Sequence, residues 1–361
     1  MIRLSRGRGC AGNRLLSGPW LIPLLLIAAA LLLVRPVRTV GVERRELARL
    51  PWGSGPGQVG RYRSLDGLWR GPTAVATAPD GTPVILDAAN HRLLLGRRGD
   101  RGQGQGGGRG DRGLLREWRA LALPGAGWYT ALAPLPEGWL LADGRSGALL
   151  ALRPGPDTGT PLPLLAAPGG RELRWRRILL LRGGPQAVTV LASEGGLHFV
   201  RRRLWVLEQG ALRQVGESGV RGPEAAASAL LLSAAPAGRA LAVLRGGAPL
   251  SRELLLLGGK GGERLFTLDL RSPAEAVDLL GELPGLGWLL WRQAPGRPAA
   301  VELRDPRGHL LWSARVAAGP PYLLHPAWLS GESLTLLVPR GEGVTVERWR
   351  FTRRWALTWR W

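Results

Sequence analysis

The chain is short of the residues on which most enzyme and metal chemistry depends. Its 361 residues include one cysteine, one methionine and four histidines. A single cysteine excludes an intramolecular disulfide and any cysteine-based zinc cluster. Lys260 is the only lysine, and Asn13 and Asn90 are the only asparagines. Acid is scarce beside base: Lys+Arg 49 against Asp+Glu 27 gives a formal charge of +22. Arg, Gly, Ala, Pro and Leu share GC-rich codons, so part of the arginine excess is compositional drift. The physical consequence stands either way. A surface this basic attracts anionic membranes, anionic wall polymers or nucleic acid, in a salt-dependent manner. Gly 54 and Pro 29 together make nearly a quarter of the chain, which argues against a helical bundle. Hydrophobic residues at 45 % are enough to bury a core.

The strongest local signal lies near the start. Arg3, Arg6, Arg8 and Arg14 form a basic leader, and the twenty residues from Leu15 to Val34 carry no charge. Twenty helical residues rise roughly 30 Å, the thickness of a hydrocarbon core. Pro19 and Pro23 fall in the first turns, where a missing N–H costs least. Trp20 and Arg35 are placed at the two interfaces, with Leu24, Leu26, Leu32 and Val34 in the lipid between them. A cleaved signal peptide is the competing reading, but the run ends Leu-Leu-Leu-Val-Arg-Pro-Val-Arg and offers no Ala-x-Ala. Cys10 precedes the apolar run, so it is not the lipid-modified cysteine of a lipoprotein. Arginines on both sides leave the positive-inside count nearly even. A single leading anchor places the bulk of the chain outside the cytoplasm.

From about residue 42 the pattern changes to short apolar runs of four to eight residues, each bounded by Gly, Pro, Asp or Ser. The clearest unit runs from Gly71 to Leu95. Thr73–Thr77 predicts a strand, Pro79-Asp80-Gly81 a hairpin turn, Val84–Leu86 the returning strand, Asp87–Asn90 a second turn and Arg92–Leu95 a third strand. Such antiparallel meanders are the blades of β-propellers. The stretch resembles an NHL-type repeat of bacterial β-propeller proteins. The resemblance is carried by Pro72, Val75, Ala76, Asp80, Gly81, Val84, Ile85, Leu86, Asp87, Asn90, His91, Arg92 and Leu93, and departs at Ala74, where the family has Gly. A second unit, Tyr129–Leu152, keeps the order of strands and turns but lacks the Asn and Arg. Further units are placed at 177–215, 227–270, 288–316 and 322–352, with a partial one at 42–69.

At about 45 residues per blade, residues 42–361 make six to seven blades; two consecutive β-sandwiches are the alternative. Closing a propeller requires the two ends of the chain to meet in one blade. The alternating apolar residues from Trp349 to Trp361 suit pairing with a strand near Val40–Leu50, or, alternatively, contact with a membrane surface.

The chemical motifs are thin. Residues 97–113 (RRGDRGQGQGGGRGDRG) read as a flexible loop, in which Arg-Gly-Asp triplets and dinucleotide-like glycine spacing arise from composition alone. Gly258-Gly-Lys260-Gly-Gly262 lacks the Ser/Thr of a phosphate loop, and no Gly-x-Ser-x-Gly occurs. His91, His198, His309 and His325 never form a ligand-like pair in sequence, although a propeller axis is able to gather them. Asp87, Asn90 and His91 form the one compact polar cluster and are the candidate ligand-binding residues. In the resembled repeat these positions mainly hold turns.

The expectation is therefore all-β: a basic leader (1–18), one transmembrane anchor or signal helix (19–35) and a six- to seven-bladed β-propeller (42–361). The expected role is a non-catalytic scaffold, single-pass in the cell membrane and extracytoplasmic, with a protein or cell-envelope partner and contact with anionic lipid. No nucleic acid, metal, cofactor or catalytic residue is expected. A propeller enzyme of lactonase or lyase type, with a polar site at the central channel, is the first alternative, and a secreted propeller the second. Sequencing the mature N-terminus separates anchor from signal: the anchored chain retains residues 15–34, and a start after about residue 35 sinks the anchor.

Overall fold

The computed structural model describes residues 34–64, 66–98, 115–125, 127–153, 160–163, 177–184, 186–196, 199–209, 211–221, 231–237, 240–246, 250–257, 262–294, 297–317 and 323–359. These begin with a long strand, β1 (Val34–Pro51), and a small hairpin, β2 (Tyr62–Arg63) and β3 (Trp69–Arg70). Blade one is β4 (Ala74–Thr77), β5 (Pro83–Asp87), β6 (Arg92–Arg98) and β7 (Leu115–Ala122). Blade two is β8 (Tyr129–Leu135), β9 (Gly138–Asp143), β10 (Leu149–Arg153) and β11 (Thr160–Pro163). Blade three is β12 (Arg177–Gly184), β13 (Ala187–Gly196), β14 (Phe199–Glu208) and β15 (Ala211–Arg221). Blade four is β16 (Leu231–Ala237), β17 (Ala240–Gly246), β18 (Ser251–Leu257) and β19 (Gly262–Asp269). Blade five is β20 (Ala276–Leu283), β21 (Gly287–Gln293), β22 (Ala299–Arg304) and β23 (Leu310–Val316). The last strands are β24 (Ala327–Ser330), β25 (Ser333–Arg340) and β26 (Gly343–Trp359), and β1 pairs with β26 to complete blade six.

The innermost strands β4, β8, β12, β16, β20 and β24 touch in ring order, and β24 meets β4 to close a six-bladed propeller. Burial explains the apolar runs. Inner strands are covered on both faces by neighbouring blades, so β4 (Ala-Val-Ala-Thr) and β5 (Pro-Val-Ile-Leu-Asp) are buried at every position. The outer strand β23 is covered on one face only and alternates towards its end. Close to the axis the wedge narrows, and small residues fill it: Ala74, Ala76, Ala131, Ala133, Ala234 and Ala235 are all buried. Larger side chains pack farther out, as where Trp349 and Phe351 of blade six meet Trp312 of blade five edge-on.

Two corrections follow. There are six blades, not seven, because the 42–69 stretch is no blade of its own. Its first part is the outer strand of blade six and its last part is the β2–β3 hairpin. That connector and the insertion between β6 and β7 absorb the chain that the period arithmetic had allotted to another blade. Val34 and Arg35, placed at the end of the anchor, instead begin β1. Pro36 cannot extend a helix, and the β-branched residues Val34, Val37, Thr39 and Val40 suit a strand. The rest of the anchor, including Trp20, Leu24, Leu26 and Leu32, lies outside the described residues, as do most of the glycine-rich loop, residues 258–261 and His198. Among the described residues no helix is long and apolar enough to cross a membrane.

The chain divides into a propeller unit, Val40–Thr352, and a small unit made of residues up to Thr39 and from Arg353 onward. In the small unit Thr39 Oγ1 donates to the Arg354 carbonyl at 3.4 Å. Trp355, Leu357 and Trp359 therefore belong outside the propeller. Within the propeller, ring closure is carried by β26 up to Thr352, whose Oγ1 donates to the Gly41 carbonyl (3.3 Å), and by the Trp52 N–H, which donates to the Glu342 carbonyl (3.1 Å).

Turn chemistry agrees with the sequence at Gly81, which has φ +83°. Gly287 opens β21 at φ +140°, and a Cβ there meets the Arg304 carbonyl oxygen at 1.9 Å. Gly331 has φ +57° with open space around it. Gly287→Ala is expected to cost about 3 kcal/mol, from strain plus backbone displacement, and Gly331→Ala about 1 kcal/mol. Denaturant unfolding of both variants checks this, and equal costs contradict it.

Candidate functional site

The sequence cluster Asp87, Asn90, His91 comes together at the corner between β5 and β6. Asp87 is fully buried. Its Oδ1 accepts from the Gly60 N–H (3.0 Å), and its Oδ2 accepts from Asn90 Nδ2 (2.8 Å) and Arg92 Nε (3.0 Å). Asn90 also donates to the Gly53 carbonyl (2.8 Å), and Arg92 donates to the carbonyls of Ser54, Gly55 and Gln58. The cluster thus straps the connector 53–60 onto blade one. Asp143 takes the equivalent place in blade two, accepting from the Trp128 and Arg145 N–H groups and from Ser146 Oγ. His91 adopts the left-handed conformation (φ 53°) and packs against Tyr129. The described histidines do not gather at one point. His91 and His325 lie at the end of the ring where inner strands begin, whereas His309 lies in the turn before β23, at the other end, beside Asp305 (3.0 Å).

Inner strands all finish at one end of the ring, here called the lower end. There Thr77–Pro79, Pro134, Gly183, Pro236, Leu280–Glu282 and Trp328–Gly331 surround a cavity of about 220 Å³. Proline and glycine dominate its wall, and Glu282 is its one carboxylate. Deeper in the axis are groups that sequence reading missed. Arg182 of blade three, 4 % exposed at its side chain, pairs with Asp278 of blade five at 2.5 Å and donates to the Ala327 carbonyl of blade six at 3.4 Å. Ser233 of blade four donates to the other Asp278 oxygen and accepts from the Leu279 N–H (3.1 Å). A polar residue inside each of three largely apolar inner strands was the available signal. Most of these groups bond to one another, but Arg182 Nε is buried without a hydrogen-bond partner, as is Thr130 Oγ1 of β8. Among the described residues no group of three or more His, Cys, Asp or Glu is placed to hold a metal ion.

A second buried ionic cluster sits in blade five, where Arg292 bridges Glu275 (2.9 Å) and Glu302 (3.2 Å). Burial alone pushes the Glu275 carboxyl up, but the Arg292 guanidinium and the Arg271 N–H outweigh it and hold the group below the ordinary carboxylate range. This cluster is internally paired and faces no cavity described above.

The upper end, where inner strands begin, is different. The β2–β3 hairpin presents Leu68 and Trp69, each 43 % exposed, close to Trp128 at 41 %. Tyr62 meets Trp128 edge-on at 5.1 Å, and the Arg61 guanidinium lies over Trp69 at 4.9 Å. The hairpin is held firmly. Asp66 accepts from Ser64 Oγ, from the Leu68 N–H (3.1 Å) and from Arg70 NH2 (2.8 Å). The Ser64 hydroxyl first, then the Leu68 N–H and Arg70, bring the Asp66 carboxyl down to about 2. Its lowered value means that this support is complete above the ordinary carboxylate range and is lost only as pH falls towards 2.

No family model matches the chain, and no curated protein matches it. Solved structures do. A protein of unknown function from Dyadobacter fermentans aligns with TM-score 0.50 at 11 % identity, over 87 % of this chain and 100 % of that one. A putative gluconolactonase aligns with TM-score 0.45 at 15 % identity, over 90 % and 96 %. A virginiamycin B lyase from Staphylococcus aureus aligns with TM-score 0.44 at 11 % identity, over 86 % and 99 %. At these identities the likeness is one of fold.

The axial pair generates a test. Asp278→Ala leaves a buried guanidinium without its carboxylate. Because Asp278 is 28 % exposed, the expected loss is about 2 kcal/mol, below that of a fully buried pair. Arg182→Met with Asp278→Leu is expected to recover most of it. A double variant as unstable as the sum of the singles in denaturant unfolding contradicts the pairing.

Proposed function

We propose that the chain is a non-catalytic binding propeller, held on the extracytoplasmic side of a membrane by its apolar segment, residues 15–33. Its binding surface is the Arg61–Arg70 hairpin with Trp128, and its partner is a protein with an acidic binding segment. The observation that carries this reading is the hairpin itself: exposed Trp, Leu and Arg beside a turn held by hydrogen bonds to Asp66. Tyr, Trp and Arg supply most of the energy at protein interfaces, and a preordered surface loses little entropy on binding. Arg61 and Arg63, both exposed beside Trp69, favour a carboxylate-bearing partner. In this reading residues 71–95 are an NHL-like repeat used for architecture, with Asp87, Asn90 and Arg92 as its structural clamp.

A photo-crosslinking residue at position 68 of the full chain tests the proposal. It is expected to yield a discrete protein adduct that falls at least tenfold in an Arg61→Glu, Arg63→Glu background and holds steady between pH 7 and 5, where Asp66 stays ionised. An adduct equally strong from position 311, at the lower end, or indifferent to the arginines, rules the surface out.

A further inference from the structure

We infer that the lower end of the propeller rests on an anionic lipid surface, with Leu310 and Leu311 as its apolar contact. This rests on the anchored reading above, and four observations on the described residues point to it.

First, the propeller unit begins at Val40 and ends at Thr352, and both lie at the lower end of blade six. There the Phe351 N–H donates to the Glu332 carbonyl at 2.9 Å, next to the turn between β24 and β25. Val34, the last uncharged residue of the apolar run, is six residues from Val40, and six extended residues reach no more than about 20 Å.

Second, the lower end carries the exposed pair Leu310 (51 %) and Leu311 (40 %), adjacent in sequence at the start of the outer strand of blade five. The next residue, Trp312, packs edge-on against Trp349 and Phe351 of blade six, at 5.8 and 5.4 Å. The two leucines are thus carried on a firm base.

Third, exposed arginines lie near them: Arg307 in the turn just before the pair, and Arg44 on the face of blade six that meets Trp312. Arg44 sits over the Trp349 ring at 4.2 Å and within 5.8 Å of Trp312. Arg45 and Arg350 lie on the other face of blade six with Glu43 and Glu332, and Asp305, the acid of the turn before Leu310, is engaged by His309. Apolar side chains flanked by arginine suit a leaflet with negatively charged headgroups.

Fourth, β1 and β26 run past the needs of blade six. Pairing of β26 with β25 ends at Arg350, yet β26 continues to Trp359 and β1 begins at Val34. The residues concerned, 34–39 and 353–359, include Arg35, Arg38, Arg353, Arg354, Trp355 and Trp359 and no acid. Tryptophan and arginine together are the residues enriched at membrane interfaces.

The test uses the full chain with its single cysteine removed (Cys10→Ser) and an environment-sensitive fluorophore on Leu311→Cys or, at the opposite end, Trp69→Cys. Each is reconstituted into vesicles of phosphatidylcholine with or without phosphatidylglycerol. Flotation that resists alkaline carbonate reports the anchor, and the fluorophore reports the contact. The expected result is carbonate-resistant flotation, with a blue shift and brominated-lipid quenching at 311, only in anionic vesicles. Both signals are lost towards 1 M NaCl, where screening shortens to about 3 Å. Flotation with identical signals at 311 and 69, or a signal at 311 as strong in pure phosphatidylcholine, overturns the lipid contact alone. Release by carbonate overturns the anchored reading and the contact with it.

Discussion

A four-stranded blade of this chain has two apolar faces and can bury neither without a neighbour on each side. Every blade therefore depends on the next, and the ring has no stable stopping point short of closure. Blade six meets this constraint by taking β24, β25 and β26 from the end of the chain and β1 from the beginning. The main-chain bond from Trp52 to Glu342 and the side-chain bond from Thr352 to Gly41 fasten the joint near its two ends. The composition follows from the same constraint. Inner strands buried on both faces read as unbroken apolar runs, and alanine is used where the wedge is narrowest. Glycine opens strands such as β21, where another backbone comes too close for a side chain.

Within such a ring a charged group on an inner strand is costly unless it is paired. Arg182 is paired, and its partners are spread over blades five and six, with Ser233 of blade four bonded to the same Asp278. Four consecutive blades thus share one polar network at the axis. Its worth lies more in fixing how those blades meet than in net stabilisation, since desolvation offsets much of the Coulomb gain. The network leaves Arg182 Nε buried without a partner. The groups left exposed in an ordered setting are instead at the two ends of the ring.

Much of the architecture was legible because blade formation is a local matter. The strand–turn–strand order of Gly71–Leu95 and Tyr129–Leu152 is written in β-branched and leucine runs, Asp-Gly turns and the buried Asp that ends each second strand. Closure by the C-terminal strand was legible from the alternation after Trp349, though the propeller uses it only as far as Thr352. The blade number was not, because connectors and insertions carry no period. Nor were Arg182, Ser233 and Asp278. They lie one per blade, and only the ring brings them together, so no spacing rule connects them. The β2–β3 hairpin escaped notice for the opposite reason. It is local, but two-residue strands held by Asp66 and Ser64 have no hydrophobic pattern to announce them.

Closure also fixes polarity. Because both ends of the propeller unit complete one blade, Val40 and Thr352 lie at a single end of the ring, opposite the hairpin. In the reading proposed above, the two ends serve different contacts: lipid at Leu310 and Leu311, and a protein partner at the hairpin. Arg61 at the upper end is stacked on Trp69 and set in a braced turn, the geometry of a contact that discriminates among partners rather than one that merely attracts.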